Sequence, residues 1–135
     1  MAVVNLITTH GAVPPEDRSR LAVELATLTY EAEGFAGSTM APTLSWTFLD
    51  EQPSRAFSTG AGDPAAALYY VLVTVLAGAI DKSAKQKLGE SITSALLARE
   101  GSPPTPENRN RIWVRFLDVA DGDLIVGGEP PRCKA

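Results

Sequence analysis

The sequence predicts an α/β (α+β) fold of two β-α-β repeats, which form a four-stranded sheet with two helices on one face. Identical residues recur at a constant offset of 67 positions, with no gap needed to keep the two halves in register. Each half also has the order strand, helix, strand. A helix between two strands requires a crossover, which makes those strands parallel neighbours. The identical pairs are Gly11 and Gly78, Leu21 and Leu88, Trp46 and Trp113, and Gly60 and Gly127.

The first repeat covers about residues 2–62. Residues 3–8 are rich in β-branched side chains, which is typical of a strand. A helix is predicted over about residues 15–33, because proline suits the first helical turn and because Leu21 and Leu25 repeat at helical spacing on one face. The remaining predicted elements are a strand over residues 43–49 and a short extended piece over residues 55–59.

The second repeat covers about residues 69–129 and has the same order of elements. Residues 69–75 are uniformly apolar and predict a buried strand. Asp81 can cap a helix over about residues 82–99, and the proline-rich residues 102–106 cannot continue that helix. The remaining predicted elements are a strand over residues 111–118 and a short extended piece over residues 124–126.

The composition limits the possible partners. With 44% hydrophobic residues, residues 1–135 can bury a core as a single soluble domain. The net charge of −4 is spread along the chain, so neither nucleic acid nor a membrane is expected as a partner. Cys133 is the only cysteine, which excludes an intrachain disulfide and a thiolate metal site. No metal or cofactor is expected. The amino terminus lacks the pattern of a secretory signal, and the expected compartment is the cytoplasm.

One face of the predicted sheet has no helix to cover it. An apolar sheet face exposed to water favours association with other protein surfaces. The short extended pieces at the end of each repeat could also pair with neighbouring subunits. We therefore expect a closed symmetric assembly.

The second half resembles 4-oxalocrotonate tautomerase over nearly its whole length. The resemblance is carried by VTVLAGAIDKSAKQKLGESITSALL at residues 73–97 and by RIWVRFLDVADGDLIVGGE at residues 111–129. The whole chain is similar to the double-length members of the tautomerase superfamily, which includes the macrophage migration inhibitory factor. Residues 112–114 (IWV), followed by Phe116, are especially similar to the cis-3-chloroacrylic acid dehalogenase. This resemblance implies a homotrimer of β-α-β units around a central barrel.

The resemblance also implies an active site at the amino terminus. In this superfamily the base is an amino-terminal proline, which is exposed once the initiator methionine is removed. Ala2 stands in that place here, and it is the candidate catalytic residue. If Met1 is removed, the primary amine of Ala2 can still transfer protons near neutral pH, but it lacks the rigidity of proline.

The resemblance places further candidate residues around that amine. The arginines that hold the substrate carboxylate in the dehalogenase and decarboxylase branches fall at Ala79 or Ile80 and at Lys82. Of these, only Lys82 keeps a positive charge. The pocket phenylalanine of 4-oxalocrotonate tautomerase falls at Leu124, and the repeat offset places Phe57 at the matching position. These residues imply an apolar wall and one cation for substrate binding.

Arg115 is another candidate for binding a carboxylate. The water-activating tyrosine and glutamate of the dehalogenase fall at Arg115 and Val126, and its histidine falls at Thr29, so water activation by that route is not expected. Arg111 and Arg115 lie on the same predicted strand face and could form a positive patch. Surface or intersubunit pairing is the other interpretation of Arg115. Trp113 is interpreted as a core or barrel residue and is also included among the substrate-binding candidates.

These observations support two functional hypotheses. The first is a weak or atypical keto-enol tautomerase or isomerase acting on a small 2-oxo or enol carboxylate. The alternative is a catalytically silent trimeric binding or scaffold protein. Dehalogenation or decarboxylation is less favoured, because the residues that would activate water are missing. His10, beside Gly11, is more typical of a turn than of catalysis, and the glycines at residues 60–62 do not precede a helix as a phosphate loop does.

Overall fold

The structure, a computed structural model, describes residues 1–131. Cys133, the only cysteine of the sequence, lies outside the described residues. Four strands and two long helices follow the order β-α-β-β-α-β, which confirms the predicted fold class. The elements are β1 (Ala2–Thr9), α1 (Pro15–Ala32), β2 (Ser45–Gln52), β3 (Tyr69–Leu76), α2 (Lys82–Glu100), α3 (Pro106–Arg109) and β4 (Ile112–Val119).

The four strands form one mixed sheet in the order β2-β1-β3-β4. Strands β1 and β2 are parallel, as are β3 and β4, so each repeat contributes one parallel pair. The repeats meet through the antiparallel pair of β1 and β3, in which Ala2 lies beside Val75 and Thr8 lies beside Tyr69. The start of the first repeat and the start of the second are therefore at opposite ends of the sheet.

Both long helices pack on one face of the sheet and share a single core with it. Alternate residues of β1 and β3 point toward the helices and are buried, as expected when a strand has one covered face. Leu25 of α1 and Ile92 of α2 are fully buried against this face. The opposite sheet face, called the open face below, carries five exposed large side chains: Trp46, Phe48, Tyr70, Trp113 and Leu117.

The helix boundaries follow the signals in the sequence. Pro15 begins α1, and the Asp81 side chain accepts a 2.8 Å hydrogen bond from the Ala84 backbone N–H at the start of α2. Gly101 ends α2 in the left-handed conformation with φ of 74°, which glycine adopts without steric cost.

The predicted strand boundaries were wrong at three places, where the structure has short turns or isolated bridges instead of strand. The second strand begins at Ser45 rather than residue 43, because Ala41–Leu44 form a 3₁₀ turn. The extended pieces predicted at residues 55–59 and 124–126 are not strands. Ser54–Ala56 form a second 3₁₀ turn, and only isolated bridges follow. Pro106 and its neighbours also start the short helix α3, with Thr105 as its cap.

Side-chain and backbone contacts, as well as secondary-structure elements, recur at the offset of 67 residues. The ion pair between Arg18 and Glu51 has its counterpart in the pair between Lys85 and Asp118, and both have N–O distances of 2.8 Å. The indole N–H groups of the two tryptophans each donate to the carbonyl three residues earlier. The isolated bridges also correspond, since one joins Thr59 to Gly62 and the other joins Val126 to Glu129. The internal sequence repeat is therefore also a repeat of the three-dimensional contacts.

No helix within residues 1–131 combines the length and the hydropathy that a membrane crossing requires.

Candidate functional site

The predicted site residues lie at two opposite ends of the sheet. Ala2 begins β1 at the end where β3 and β4 finish, and Lys82 and Leu124 follow those strands along the chain. At the other end, Phe57, Arg111 and Trp113 line one cavity near the start of β3. We call the first group the amino-terminal site and the second group the second-repeat site.

At the amino-terminal site, the chain terminus binds a buried carboxylate. The Met1 ammonium lies 3.0 Å from Oε2 of Glu33, whose side chain is only 2% exposed. The other carboxylate oxygen of Glu33, Oε1, is buried and has no hydrogen-bond partner among the described residues. A buried acceptor without a partner is costly in free energy, so this oxygen is able to accept a further hydrogen bond. Ala2 itself is buried in the core cluster that includes Ile80.

The other candidates near this end are more exposed. Lys82 is exposed at the first position of α2, and Leu124 is half-buried in the turn that follows β4. Arg115 lies in the middle of β4 on the open face, where its guanidinium donates a long hydrogen bond of 3.4 Å to the Tyr70 hydroxyl. Among the predicted residues, Lys82 and Leu124 therefore share an end of the sheet with Ala2, whereas Arg115 does not.

At the second-repeat site, the side chains of Arg111, Tyr69 and Ser102 donate hydrogen bonds to the Glu100 carboxylate. The Arg111 guanidinium donates to both oxygens of Glu100, at 2.7 and 3.1 Å. The buried Tyr69 hydroxyl donates to Glu100 at 2.6 Å and accepts from Arg99 at 3.1 Å. The hydrogen bond from Arg111 lowers the pKa of Glu100 to about 2, and burial raises the pKa of Tyr69 to about 12. The carboxylate is therefore ionised, and the phenol neutral, over the whole physiological range.

The expected positive patch of Arg111 and Arg115 is not present in this arrangement. Arg111 precedes β4 instead of lying within it, so the alternation of the strand does not orient its side chain. Its guanidinium is engaged by Glu100 and by the carbonyl of Ala67, whereas Arg115 contacts Tyr70. The positive charge of Arg111 is neutralised inside the protein and is not free to hold a second carboxylate.

The cavity beside this cluster encloses about 460 Å³. Its walls include the rings of Phe57, Tyr70 and Trp113, and Arg111 and Asn110 supply polar groups. The structure thus brings together three predicted residues, Phe57, Arg111 and Trp113, but at the end of the sheet opposite to Ala2.

Sequence reasoning missed two equivalent glutamates, one at each of these two sites. Glu33 and Glu100 are an identical pair at the offset of 67, and each carboxylate binds a cation close to the start of a strand, β1 for Glu33 and β3 for Glu100. In the first repeat the cation is the chain terminus. The second repeat has no terminus at this place, and Arg111 supplies the charge. The repeat offset was the signal that could have identified both glutamates.

No group of three potential metal ligands comes together within residues 1–131.

Comparisons with known proteins identify the fold. No family model matches the sequence, and a search of the curated proteins also finds no match. Among solved structures, a fused 4-OT solved as a symmetric trimer (Q0) is 18% identical, with a TM-score of 0.74 over 94% of this chain and 93% of that one. N1, a member of the cis-3-chloroacrylic acid dehalogenase family, is 15% identical, with a TM-score of 0.74 over 95% and 82%.

The macrophage migration inhibitory factor from Oncomelania hupensis is 13% identical, with a TM-score of 0.71 over 96% of this chain and 81% of that one. Each of these likenesses extends over nearly the whole of this chain. The protein therefore has the tautomerase-superfamily fold in its double-length form, as the resemblance in the sequence implied.

Proposed function

We propose that this chain is a tautomerase-superfamily protein in which the amine of Ala2, freed by removal of Met1, catalyses keto-enol tautomerisation of a small 2-oxo or enol carboxylate. The observation that best supports this proposal is the buried Glu33 carboxylate, which lies 3.0 Å from the ammonium of Met1, the residue next to Ala2. This is the end of the fold where the sequence resemblance locates the superfamily's base.

The proposed chemistry is a pair of proton transfers. When an enol becomes a ketone, the neighbouring carbon gains a proton and the enol oxygen loses one. The Ala2 ammonium gives its proton to carbon, and the resulting amine recovers a proton from the enol oxygen. Glu33, which pairs with the Met1 ammonium in the structure, is expected to hold the Ala2 ammonium by a charge-assisted hydrogen bond once Met1 is removed. Lys82, at the same end of the sheet, holds the substrate carboxylate, and Leu124 contributes an apolar wall.

The expected result is measurable ketonisation of phenylenolpyruvate by the Met1-free chain and a rate increase of about tenfold or more in Ala2→Pro, because proline is a rigid secondary amine. Intact mass establishes whether Met1 is absent before each assay. Lys82→Ala should raise KM, whereas Lys87→Ala, which removes an exposed lysine of the same helix, should leave it unchanged. Rates equal to buffer for both the native chain and Ala2→Pro, each shown to lack Met1, would overturn the proposal.

A catalytically silent protein is the second candidate, and the ion pair of Met1 itself favours it. With Met1 retained, its ammonium neutralises Glu33 and the nitrogen of Ala2 is part of a peptide bond. That nitrogen then has no lone pair available for proton transfer. Finding Met1 fully retained in protein from its native cells would favour this reading over catalysis.

We also propose that the chain forms a homotrimer through the open face. Fused 4-OT proteins of this fold are trimers, including the asymmetric F6 and the symmetric Q0. In this chain Trp46, Phe48 and Trp113 are 59%, 51% and 70% exposed on the open face, and the first two rings pack edge to face at 6.4 Å. Exposed large apolar side chains on an uncovered sheet face favour an interface.

The double variant Phe48→Lys/Leu117→Lys is expected to convert the trimer into monomers, because burying two unpaired ammonium groups is strongly unfavourable. Sedimentation velocity measures the change. Val23→Lys is the matched control, since Val23 is 63% exposed on α1, away from the open face. A native chain that sediments as a monomer, or a double variant that remains trimeric, would contradict this proposal.

A further inference from the structure

We infer that the second-repeat cavity is a binding site for a small neutral aromatic molecule, separate from the amino-terminal amine. The inference does not depend on catalysis at Ala2, because the two sites lie at opposite ends of the sheet.

The size and the walls of the cavity suit such a ligand. Its volume of about 460 Å³ lies within the roughly 300–1,000 Å³ typical of small-molecule sites. Phe57, Tyr70 and Trp113 present three rings to it, and aromatic rings favour offset or edge-to-face contact with another ring. Only Tyr70 and Trp113 belong to the open face. Tyr69 lies on the helix side of β3, and the other lining residues, Phe57 included, precede the strands or belong to loops, so covering the open face leaves this part of the wall unchanged.

The charges around the cavity balance, which selects against an ionic ligand. Arg111 is paired with Glu100, and Arg99 lies 3.7 Å from Asp17. A carboxylate ligand would have to compete with Glu100 for a guanidinium that is already bound at two oxygens. The free polar groups are instead neutral, since Ser58 and Asn110 are exposed at the cavity lining. These groups suit one hydroxyl or carbonyl substituent on the ring.

Two of the three rings, Phe57 and Tyr70, are particular to this end of the sheet and are not a requirement of the fold. At the amino-terminal end, the residues at the offset of 67 are Leu124 for Phe57 and Val3 for Tyr70, whereas Trp113 corresponds to another tryptophan, Trp46. Arg111 likewise replaces Leu44. The two ends share strands, helices, a buried glutamate and one tryptophan, yet only the cavity end adds Phe57 and Tyr70. The difference points to a ligand and not to packing alone.

Titration of the native protein with p-cresol, followed by calorimetry and by the indole N–H resonance of Trp113, tests the inference. We expect saturable binding with a shift of the Trp113 resonance and weaker binding of benzoate. Phe57→Ala should weaken p-cresol binding by about tenfold, because it removes one aromatic wall. Leu124→Ala, the matched change in the other repeat, should leave the affinity unchanged.

If Phe57→Ala does not fold, the more conservative Phe57→Leu replaces it, since Leu124 is the equivalent residue of the other repeat. It should also weaken binding, by a smaller factor. The inference is overturned if the folded native protein shows no saturable binding, if benzoate binds more tightly than p-cresol, or if the Phe57 and Leu124 variants lose affinity equally.

Discussion

Replacing Arg111 with methionine is expected to lower the free energy of unfolding by about 3–5 kcal/mol, as is typical when one partner of a buried ion pair is removed. The Arg111 side chain is 12% exposed and that of Glu100 is 21% exposed, so water screens the pair poorly. Methionine keeps much of the apolar length but leaves the Glu100 carboxylate without its bidentate partner. Urea unfolding, monitored by circular dichroism, measures the loss.

Two further variants separate the ion pair from simple truncation. Lys85→Met removes the cation of the more exposed pair with Asp118, and its cost should be no more than about 1 kcal/mol. Arg111→Met combined with Glu100→Gln should recover part of the stability, because the neutral amide no longer leaves a buried charge unpaired. If Arg111→Met costs no more than Lys85→Met, the second-repeat cluster does not stabilise the protein as described.

Acid is expected to remove about 3 kcal/mol of stability through Glu100 alone, given the lowering of its pKa from 4.5 to about 2. The unfolded chain binds this proton more readily than the folded one. The stabilisation is therefore fully present above pH 4.5 and is lost as the pH falls from 4.5 to about 2. Other carboxylates titrate in the same range, so the informative quantity is the difference between the native protein and Glu100→Gln.

That difference in the free energy of unfolding should be largest above pH 4.5 and should shrink as the pH approaches 2. Tyr69→Phe should show a smaller acid dependence than the native protein, because the Tyr69 hydroxyl donates one of the hydrogen bonds that lower the pKa of Glu100. A difference between native protein and Glu100→Gln that stays constant across this range would show that Glu100 titrates normally.

The fold could be predicted from the sequence because its signals are local and occur twice. Identical residues such as Trp46 and Trp113 reveal the repeat. Pro15 and the capping residue Asp81 indicate where the two long helices begin. With a helix between two strands in each half, the crossover rule then fixes the parallel pairs. The antiparallel contact of β1 with β3 joins the two halves, and no local pattern specified it.

The site was predicted less well because its residues meet only through the tertiary structure. Strand alternation placed Arg111 with Arg115, but β4 begins after Arg111, whose partner is Glu100 at the end of α2. The resemblance to the superfamily located the amine at Ala2, yet it gave no role to Glu33. Lys82 and Phe57 were assigned to one pocket, whereas the antiparallel join of the repeats places them at opposite ends of the sheet.

The most direct test of the central proposal is to trap the amine. A 2-oxo acid such as phenylpyruvate condenses with a primary amine, losing water to form an imine, and borohydride reduces that imine to a stable secondary amine. Peptide mass mapping of the Met1-free chain should locate the adduct at Ala2, with less adduct in Glu33→Gln. Adducts found on surface lysines, with none at residue 2, would contradict a reactive amine at the start of β1.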